Sequence, residues 1–348
     1  MLSNTDIAEL LAQKAEKETG ILSRAFRRAA RSAFLWPEHV VDLEAQNRSL
    51  TELRAVGPFI ENQIRRWMDE PLPLSKRVPA IRRDFICLAD ARRVLAGKPE
   101  WSKALRGDLQ MHTRWSDGSG TIVEMATAAR ERSYEYIAIT DHSKGLKIAG
   151  GIDERTLEKQ GAEIAKLNAS VSKPGENAIV LRSLEMNLNM RGEGDMSPES
   201  LSALDVVLGA FHSSLRLVED QTERYVSALH NPNIQILAHP RGRIYNFRIG
   251  LKADWPRVFA EAARLDKAVE IDCYPDRQDL NVSLLKIARE HGTRISLGTD
   301  AHHPWQLEFI DLGLAGAMRA KIPPEKILNF MHARALRDWV AGVRARSR

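Results

Sequence analysis

The pattern of apolar positions divides the chain into two parts. In the first part, apolar residues such as Ile7, Leu10 and Leu11 recur at helical spacing, and Pro37 interrupts the periodicity. Beyond Gly107, short apolar runs alternate with amphipathic stretches, which is typical of repeated βα units rather than of a helical bundle. We therefore predict a small all-α helical domain followed by a larger α/β domain.

Seven apolar runs in the second part have the length of buried strands. They are Leu105–Met111, Tyr136–Thr140, Ile179–Leu184, Val206–Ala210, Ile234–Ala238, Ala268–Ile271 and Ile295–Gly298. Helical patterns lie between them, at Ile122–Arg132, Thr156–Leu167, Thr222–His230, Trp255–Leu265 and Leu280–His291. Seven such units predict an α/β barrel of the (β/α)7 type, one unit short of the common eight.

Length and composition fit this division. A chain of 348 residues favours one large and one smaller domain, because a domain typically has about 100–200 residues. We assign residues 1–75 to the helical domain, 76–104 to a linker or helix and 105–340 to the barrel. No apolar run approaches the roughly 20 residues of a membrane span, and the polar start lacks a secretory signal, so we expect a cytoplasmic protein.

Cysteine and charge narrow the chemistry further. With only Cys87 and Cys273, the chain has neither a disulfide framework nor a thiolate zinc motif, so any metal must be held by His and carboxylates. Residues 1–106 carry 19 Lys and Arg against 14 Asp and Glu, an excess equal to the +5 of the whole chain. That excess is compatible with a polyanionic partner, and equally with a solvated surface.

Histidine and acidic residues recur at the ends of the predicted strands. Five of the ten histidines occupy such positions, and His303 lies beside one of them. Any one of these residues could be an ordinary loop or cap residue; their recurrence at one end of a barrel is what predicts a site. The set exceeds the three or four protein ligands of a single ion, so it implies two or three ions, and its N and O donors favour zinc, manganese or iron.

The motifs that hold these residues are Asp108-Leu-Gln-Met-His112-Thr-Arg-Trp-Ser-Asp117-Gly118, Thr140-Asp141-His142-Ser143, a third strand with Glu185, Phe211-His212-Ser213, Ala238-His239-Pro240-Arg-Gly-Arg243 and Thr299-Asp300-Ala-His302-His303. Together they resemble the PHP (polymerase and histidinol phosphatase) domain family, most closely the PHP domain of bacterial family X DNA polymerases, over about residues 105–340. The resemblance implies a distorted (β/α)7 barrel with up to three metal ions and a phosphoesterase activity. Carried over by motif, the metal ligands are His112, Asp117, His142, Glu185, His212, His239, Asp300 and His302, with Asp300, His142 and Glu185 expected to be catalytic.

Two positions depart from the family pattern. The first motif of the family usually has His-x-His, and this chain has Gln110 before His112. An amide oxygen is a poorer ligand than imidazole for these metals, so one metal position is expected to be weaker or rearranged. Asp272 stands where such domains often have Asn.

Metal-bound hydroxide is the nucleophile that such a site supplies near neutral pH. Four basic residues near the ligand loops could grip the phosphate: Lys144, Arg241, Arg243 and Arg277. For each of them, a solvated surface cation is an equally good interpretation.

In the N-terminal part, the stretch from Leu50 to Trp67 predicts a helix, a tight turn at Val56-Gly57-Pro58 and a second helix that begins at Pro58. The turn resembles the helix-hairpin-helix of DNA repair proteins, which would make Val56 and Gly57 DNA contacts through backbone N–H groups. Ala55 replaces the usual first glycine, and a plain helical hairpin remains an alternative. The connection to the barrel leaves no room for a polymerase palm.

The leading hypothesis is therefore a metal-dependent phosphoesterase that acts on DNA ends or nucleotides, as a 3′–5′ exonuclease or 3′-end processing enzyme in DNA repair. One alternative is a small-molecule phosphatase of the histidinol-phosphate phosphatase type. A second alternative is a non-catalytic DNA-binding module whose metal site has decayed, against which the eight retained ligand positions argue.

Overall fold

The computed structural model describes residues 2–70, 78–170 and 178–346. Its strands are β1 (Gly107–Asp108), β2 (Tyr136–Ile139), β3 (Ile179–Asn187), β4 (Val206–Ala210), β5 (Ile236–Leu237), β6 (Ala268–Asp272) and β7 (Arg294–Gly298). Its α-helices are α1 (Asn4–Lys17), α2 (Gly20–Ser32), α3 (Val40–Ala45), α4 (Pro58–Asp69), α5 (Leu88–Ala96), α6 (Pro99–Ala104), α7 (Ile122–Glu131), α8 (Glu154–Ala169), α9 (Pro198–Ser202), α10 (Thr222–His230), α11 (Trp255–Arg264), α12 (Val282–Glu290), α13 (Ile310–Arg319) and α14 (Ala333–Arg346).

The seven strands form one parallel sheet in the order of the sequence, and each is followed by a helix. Hydrogen bonds between the segments that follow β1 and β7 nearly close the sheet into a barrel. Here the N–H of His112 donates to the carbonyl of Ala301 at 2.8 Å, and the N–H of Asp300 donates to that of Gln110 at 3.0 Å. The predicted (β/α)7 barrel is confirmed, with strands and helices within a few residues of the predicted bounds.

The barrel interior is apolar at the end where the strands begin. Leu109, Ala138, Leu181 and Leu208 share a buried cluster there with Leu336 and Val340 of α14. Because α14 covers that end with apolar side chains, the polar site is confined to the end where the strands finish. None of the helices in the three described ranges is both long and apolar enough to cross a membrane.

The N-terminal helices pack around their own core, which also takes in a residue of the barrel. Phe34 and Phe85 place their ring centroids 4.7 and 5.3 Å from that of Tyr245, which lies between β5 and α11. The guanidinium of Arg82 binds the buried carboxylate of Glu9 with two bonds, at 2.8 and 3.0 Å. The helical region is therefore held against the barrel. The domain limits 1–75, 76–104 and 105–340 stay a proposal, and the boundary near residue 75 lies outside the described residues.

The hairpin near residue 57 differs from the prediction on one side. The second helix begins at Pro58 as predicted, but the first is only the 3-10 turn Leu50–Glu52. The chain leaves helical geometry because the carbonyl of Arg54 accepts from Ser32 Oγ at 2.8 Å and from Trp36 Nε1 at 3.0 Å. Ala55 takes a left-handed φ of 62°, a conformation that favours glycine.

Candidate metal centre

The ends of the strands bring all eight predicted ligand side chains to one end of the barrel. Glu185 lies within β3, and the others follow the last residues of their strands, where parallel strands present their loops together. Gly118 permits the first loop to fold back, since a Cβ atom there would lie 2.5 Å from the carbonyl carbon of His112. Asp300 and His239 have φ values of 53° and 23°, and such strain costs about 1–3 kcal/mol per residue, which is typical of functional sites.

Glu185 is the centre of the site. Its fully buried carboxylate lies 2.6 Å from His239 Nε2, 3.1 Å from His212 Nε2, 3.1 Å from His142 Nδ1 and 3.4 Å from His112 Nε2. One carboxylate with two oxygens therefore faces four imidazoles. This arrangement lets a single side chain contribute to two neighbouring ion positions.

The remaining carboxylates extend the cluster. Asp300 Oδ1 lies 2.9 Å from His112 Nε2, and Asp117 Oδ1 lies 3.4 Å from His302 Nε2 and 3.6 Å from His142 Nε2. Three overlapping groups have ligand atoms within 4.8 Å of one another: His112 with Asp117, His142 and His302; His142 with Glu185 and His212; and His112 with Glu185 and Asp300.

The charges of these groups shift their pKa values strongly. Burial by itself would raise the pKa of Glu185, but the charges of His142, His239 and His212 outweigh it and hold that pKa well below its usual range. Burial would lower the pKa of His239, yet the carboxylate of Glu185 raises it to about 10. The pKa of His302 rises to about 9, because Asp117 and Asp300 outweigh its burial. Without metal, the carboxylates are thus compensated by His142, His239 and His302, whose pKa values are raised, whereas burial lowers the pKa values of His112 and His212.

The side chains fit divalent cations. His112 is fully buried, and its Nδ1 has no hydrogen-bond partner among the described residues. An imidazole in that state is costly to bury unless a further group satisfies it. Imidazole and carboxylate donors suit divalent transition metals, which would replace the protons as the compensating positive charge.

Neighbouring polar groups orient the candidate ligands. Asn187 Oδ1 lies 3.1 Å from His212 Nδ1, and the carbonyl of Asp300 lies 2.7 Å from His302 Nδ1, so both rings direct Nε2 into the site. Asp141 does not point at the cluster. It accepts hydrogen bonds from the backbone N–H and the hydroxyl of Thr113, from Ser116 Oγ and from Gln160 Nε2 at 2.5–2.8 Å, and so fixes the loop that carries His112 and Asp117.

The two departures from the family pattern lie together beside the cluster. The side-chain amide of Gln110 lies against the carboxylate of Glu270, and both side chains are fully buried. The amide nitrogen is assigned to the side of Glu270, because there it can donate to both carboxylate oxygens. Gly298 leaves the space for them, since a Cβ atom there would lie 2.3 Å from Glu270 Oε1. Burial raises the pKa of Asp272 to about 8, and the nearby charge of Asp300 adds to the shift. The expected weaker metal position is thus one where an amide bonded to Glu270 stands in place of imidazole.

Two of the four predicted phosphate-binding residues line a cavity over the cluster, and the other two do not. A cavity of about 290 Å³ opens over the cluster, and Arg243 and Arg277 line it. Arg277 pairs with Asp300, and Arg243 donates to the carbonyl of Asp84 at 3.0 Å. Lys144 and Arg241 do not line the cavity: the ammonium of Lys144 binds Glu154 at 2.6 Å, and Arg241 donates to the carbonyl of Ile249 at 2.8 Å.

Sequence reasoning missed Arg248, which also lines the cavity and lies five residues beyond Arg243. It also missed the orienting roles of Asn187 and Asp141. For Asp141, its place between Thr140 and His142 on a strand end was the available signal. Arg248 and Asn187 carried no such signal.

The predicted DNA contacts of the hairpin lie in different environments. Val56 is 6% exposed and belongs to the core of the helical region. Gly57 is exposed at the start of α4, with open space on the side where a Cβ atom would point. Gly57 is therefore accessible to a phosphate, whereas the backbone N–H of Val56 already donates to the carbonyl of Leu53 at 3.1 Å.

A further His, Cys and Asp group lies in the helical region, formed by His39, Cys87 and Asp90. The thiol of Cys87 accepts from the N–H of Asp90 at 3.4 Å and donates to its carboxylate at 3.1 Å. This pattern makes Cys87 the N-cap of α5, and burial raises the pKa of its thiol to about 12. We therefore assign Cys87 and Asp90 to helix capping, with His39 Nε2 lying 3.5 Å from Asp90 Oδ1.

Comparison with known proteins supports the interpretation of the motifs. The chain is 36% identical over 235 residues to the DNA polymerase/3′-5′ exonuclease PolX of Bacillus subtilis, an alignment that covers 67% of this chain and 40% of that protein. It is 25% identical over 218 residues to a probable phosphatase of Caldicellulosiruptor saccharolyticus, covering 60% of this chain and 84% of that protein. It is 23% identical over 242 residues to the probable phosphatase YcdX of Escherichia coli, covering 66% and 91%.

No family model matches the chain. Among solved structures, histidinol phosphate phosphatase of Lactococcus lactis, in complex with zinc, L-histidinol and phosphate, is similar with a TM-score of 0.46 and 18% identity, over 62% of this chain and 93% of that one. The chain spans less than half the length of the Bacillus subtilis protein, and most of the length of the two phosphatases.

The fold and site define a class, that of seven-unit α/β barrels with a His, Asp and Glu cluster at the ends of the strands. Within that class, the chain belongs to the PHP domain family, as its motifs predicted.

Proposed function

We propose that this chain is a metal-dependent phosphoesterase that cleaves phosphate esters at DNA ends or in nucleotides, as a 3′–5′ exonuclease or 3′-end processing enzyme in DNA repair. The observation that carries the proposal is the convergence of four imidazoles on the buried carboxylate of Glu185, directly beneath a cavity lined by arginines. The proposed ligands are His112, Asp117, His142, Glu185, His212, His239, Asp300 and His302.

Two or three zinc, manganese or iron ions in this site would supply a nucleophilic hydroxide and neutralise the phosphate oxygens. The protein's own contribution is positional. Glu185 and Asp300 are held ionised by the cations around them, so they are ready to act as ligands without losing a proton. Arg277 faces the cavity beside Asp300 and can bind a phosphate oxygen, while the helical region lies against the barrel. The cytoplasmic location stays a prediction.

The greater identity to a protein named as a 3′-5′ exonuclease than to the named phosphatases supports a nucleic-acid substrate. The second candidate is a small-molecule phosphatase. Its support is the size of the cavity, about 290 Å³, which is near the lower end of the range for small-molecule sites.

The experiment compares substrates on one preparation. The purified protein, loaded with zinc or manganese, is assayed on single-stranded and 3′-recessed DNA, on histidinol phosphate and on nucleoside monophosphates, with His142→Ala and Asp300→Ala as controls. Release of mononucleotides from DNA that both substitutions abolish is the expected result. Phosphate release from the small esters only would establish the second candidate instead. Less than one metal ion per chain, with no hydrolysis of any substrate, would favour a DNA-binding module without catalysis.

A further inference from the structure

A strongly basic groove lies beside the metal site and was not singled out by any motif. It has a volume of about 460 Å³, between α2, the hairpin turn and the loops that follow β6 and β7. Five arginines line it, namely Arg24, Arg27, Arg28 and Arg31 from α2 and Arg54 from the turn. Against them the groove has one acidic residue, Asp276, which pairs with Arg31.

The arginines of α2 form one face of the helix. Their spacing of three, four and seven residues places them along a row roughly 10 Å long. Arg24, Arg27 and Arg28 are exposed, and in the part of the chain that the structure describes they have no ion-pair partner. The like charges of such a row repel one another and destabilise the folded chain unless an anion neutralises them. The length of the row matches two or three successive phosphates of a nucleic-acid strand.

An aromatic surface completes the groove. Trp305 is 39% exposed, and the guanidinium of Arg54 lies 4.9 Å from the centre of its ring. Proteins that bind single-stranded nucleic acids combine aromatic side chains with a basic groove. The bases stack on the aromatic rings, and the cations contact the phosphate backbone. A small anion or an acidic peptide would use the charges but not the ring.

The wall of the groove is continuous with the metal site. Gln306, which lines the groove, accepts a hydrogen bond from the backbone N–H of His302 at 2.6 Å. On the other loop, Asp276 pairs with Arg31 in the groove, and the next residue, Arg277, pairs with Asp300 in the site. The two loops that carry proposed ligands or their partners therefore also form the groove.

We infer that this groove binds the backbone of single-stranded DNA, with Arg24, Arg27 and Arg28 on successive phosphates and Trp305 stacked on a base, and that it leads the end of the strand to the metal site. The binding part of the inference stands on the groove itself; only the destination of the strand rests on the proposed function.

The test measures binding without catalysis. Binding of a fluorescent 20-nucleotide oligo(dT) to the full chain is followed by anisotropy in EDTA at several salt concentrations. The double substitution Arg27→Ala/Arg28→Ala should weaken binding at least about tenfold and reduce the magnitude of the slope of log K against log salt by about 1.4, since each single-strand phosphate contact contributes about 0.7. Trp305→Ala should weaken binding about fivefold or more and leave that slope unchanged.

The matched control removes two exposed arginines at the opposite end of the barrel, Arg130 and Arg319, which lie in the last turns of α7 and α13. Arg130→Ala/Arg319→Ala should bind the oligonucleotide as the unmodified chain does. Equal affinities for all the variants would overturn the inference, and so would equal displacement of the oligonucleotide by polyglutamate, or binding of oligo(U) without binding of oligo(dT).

Hydrolysis is measured separately on p-nitrophenyl phosphate, which is too small to span the groove. Loss of DNA binding in Arg27→Ala/Arg28→Ala with unchanged hydrolysis of this ester supports the groove. The unmodified chain could hydrolyse no ester while its DNA binding still depends on these arginines. That result would contradict the proposed function but support the groove as a DNA-binding site.

Discussion

The side-chain amide of Gln110 faces the carboxylate of Glu270 in the fully buried wall of the barrel, and with its nitrogen turned to that side it lies 2.9 and 2.5 Å from the two carboxylate oxygens. Gln110 stands where the family usually has the first imidazole of the site. An amide nitrogen held in this way leaves only a neutral oxygen to offer to a metal, which makes this the weakest of the candidate ligand positions. The bond to Glu270 also gives the amide a structural role that does not depend on metal.

Gln110→His should therefore raise the metal content. An imidazole at this position would add a ligand next to His112 and Asp300, and we expect up to one more zinc ion per chain and severalfold faster ester hydrolysis. Elemental analysis after dialysis against zinc measures the first quantity. Gln110→Asn, which keeps an amide, is the control and should not gain an ion; an unchanged metal content in a folded Gln110→His protein would contradict the prediction.

Glu185→Gln should remove most of the metal and the activity. The substitution keeps the shape of the side chain but takes away the charge that faces four imidazoles. Loss of partners outside the direct ligands typically costs about 10–100-fold in affinity or activity, so a central ligand should cost at least about 100-fold. Metal titration and ester hydrolysis provide the measurements. Glu193→Gln, at an exposed residue that pairs with Arg191, is the matched control and should behave as the unmodified chain.

Asp141→Asn should weaken activity through the position of a loop. Asp141 accepts four hydrogen bonds that hold the segment carrying His112 and Asp117, and an amide cannot accept from all of these donors. We expect about a 10–100-fold loss of metal affinity, with activity recovered in part at high metal concentration. Zinc titration monitored by hydrolysis measures both. Failure of excess metal to restore any activity would show that Asp141 acts in some other way.

The metal-free protein should lose stability as the pH rises. His302 and His239 have pKa values raised to about 9 and 10 in the folded state, from about 6.5 in an unfolded chain. A raised pKa stabilises the folded state fully below pH about 6.5, and this stabilisation is lost as the pH rises through 9 to 10. The pKa of Asp272, raised to about 8, acts in the same direction.

Melting temperatures in EDTA between pH 6 and 10 test this expectation. The effect should amount to a few kcal/mol, since one pKa unit corresponds to about 1.4 kcal/mol. Lys267 opposes it, because burial lowers its pKa to about 8 and its contribution to stability rises with pH. The Lys267→Met variant should therefore show the fall more clearly. A metal-loaded sample should show a flatter dependence, and a metal-free protein that becomes more stable towards pH 10 would contradict the prediction.

The sequence by itself determined the (β/α)7 barrel and the location of the candidate metal site at the ends of its strands. Hydrophobic periodicity and strand length are local properties, so all seven strand positions could be read along the chain. Because parallel strands present their ends together, His112, His142, Glu185 and Asp300 could be brought to one place by the fold class and by the motifs of the PHP family.

Only the tertiary structure decided which groups pair across the barrel. The bond between Gln110 and Glu270, the pairing of Lys144 with Glu154 and the groove between α2 and Trp305 join residues whose local sequence contains no sign of their partners. The prediction of a helix in the first arm of the hairpin was wrong for the same reason. Trp36 and Ser32, which precede that segment in the sequence, donate to the carbonyl of Arg54. Local propensity sets where an element can form, but contacts between distant segments decide where it ends and which charges meet.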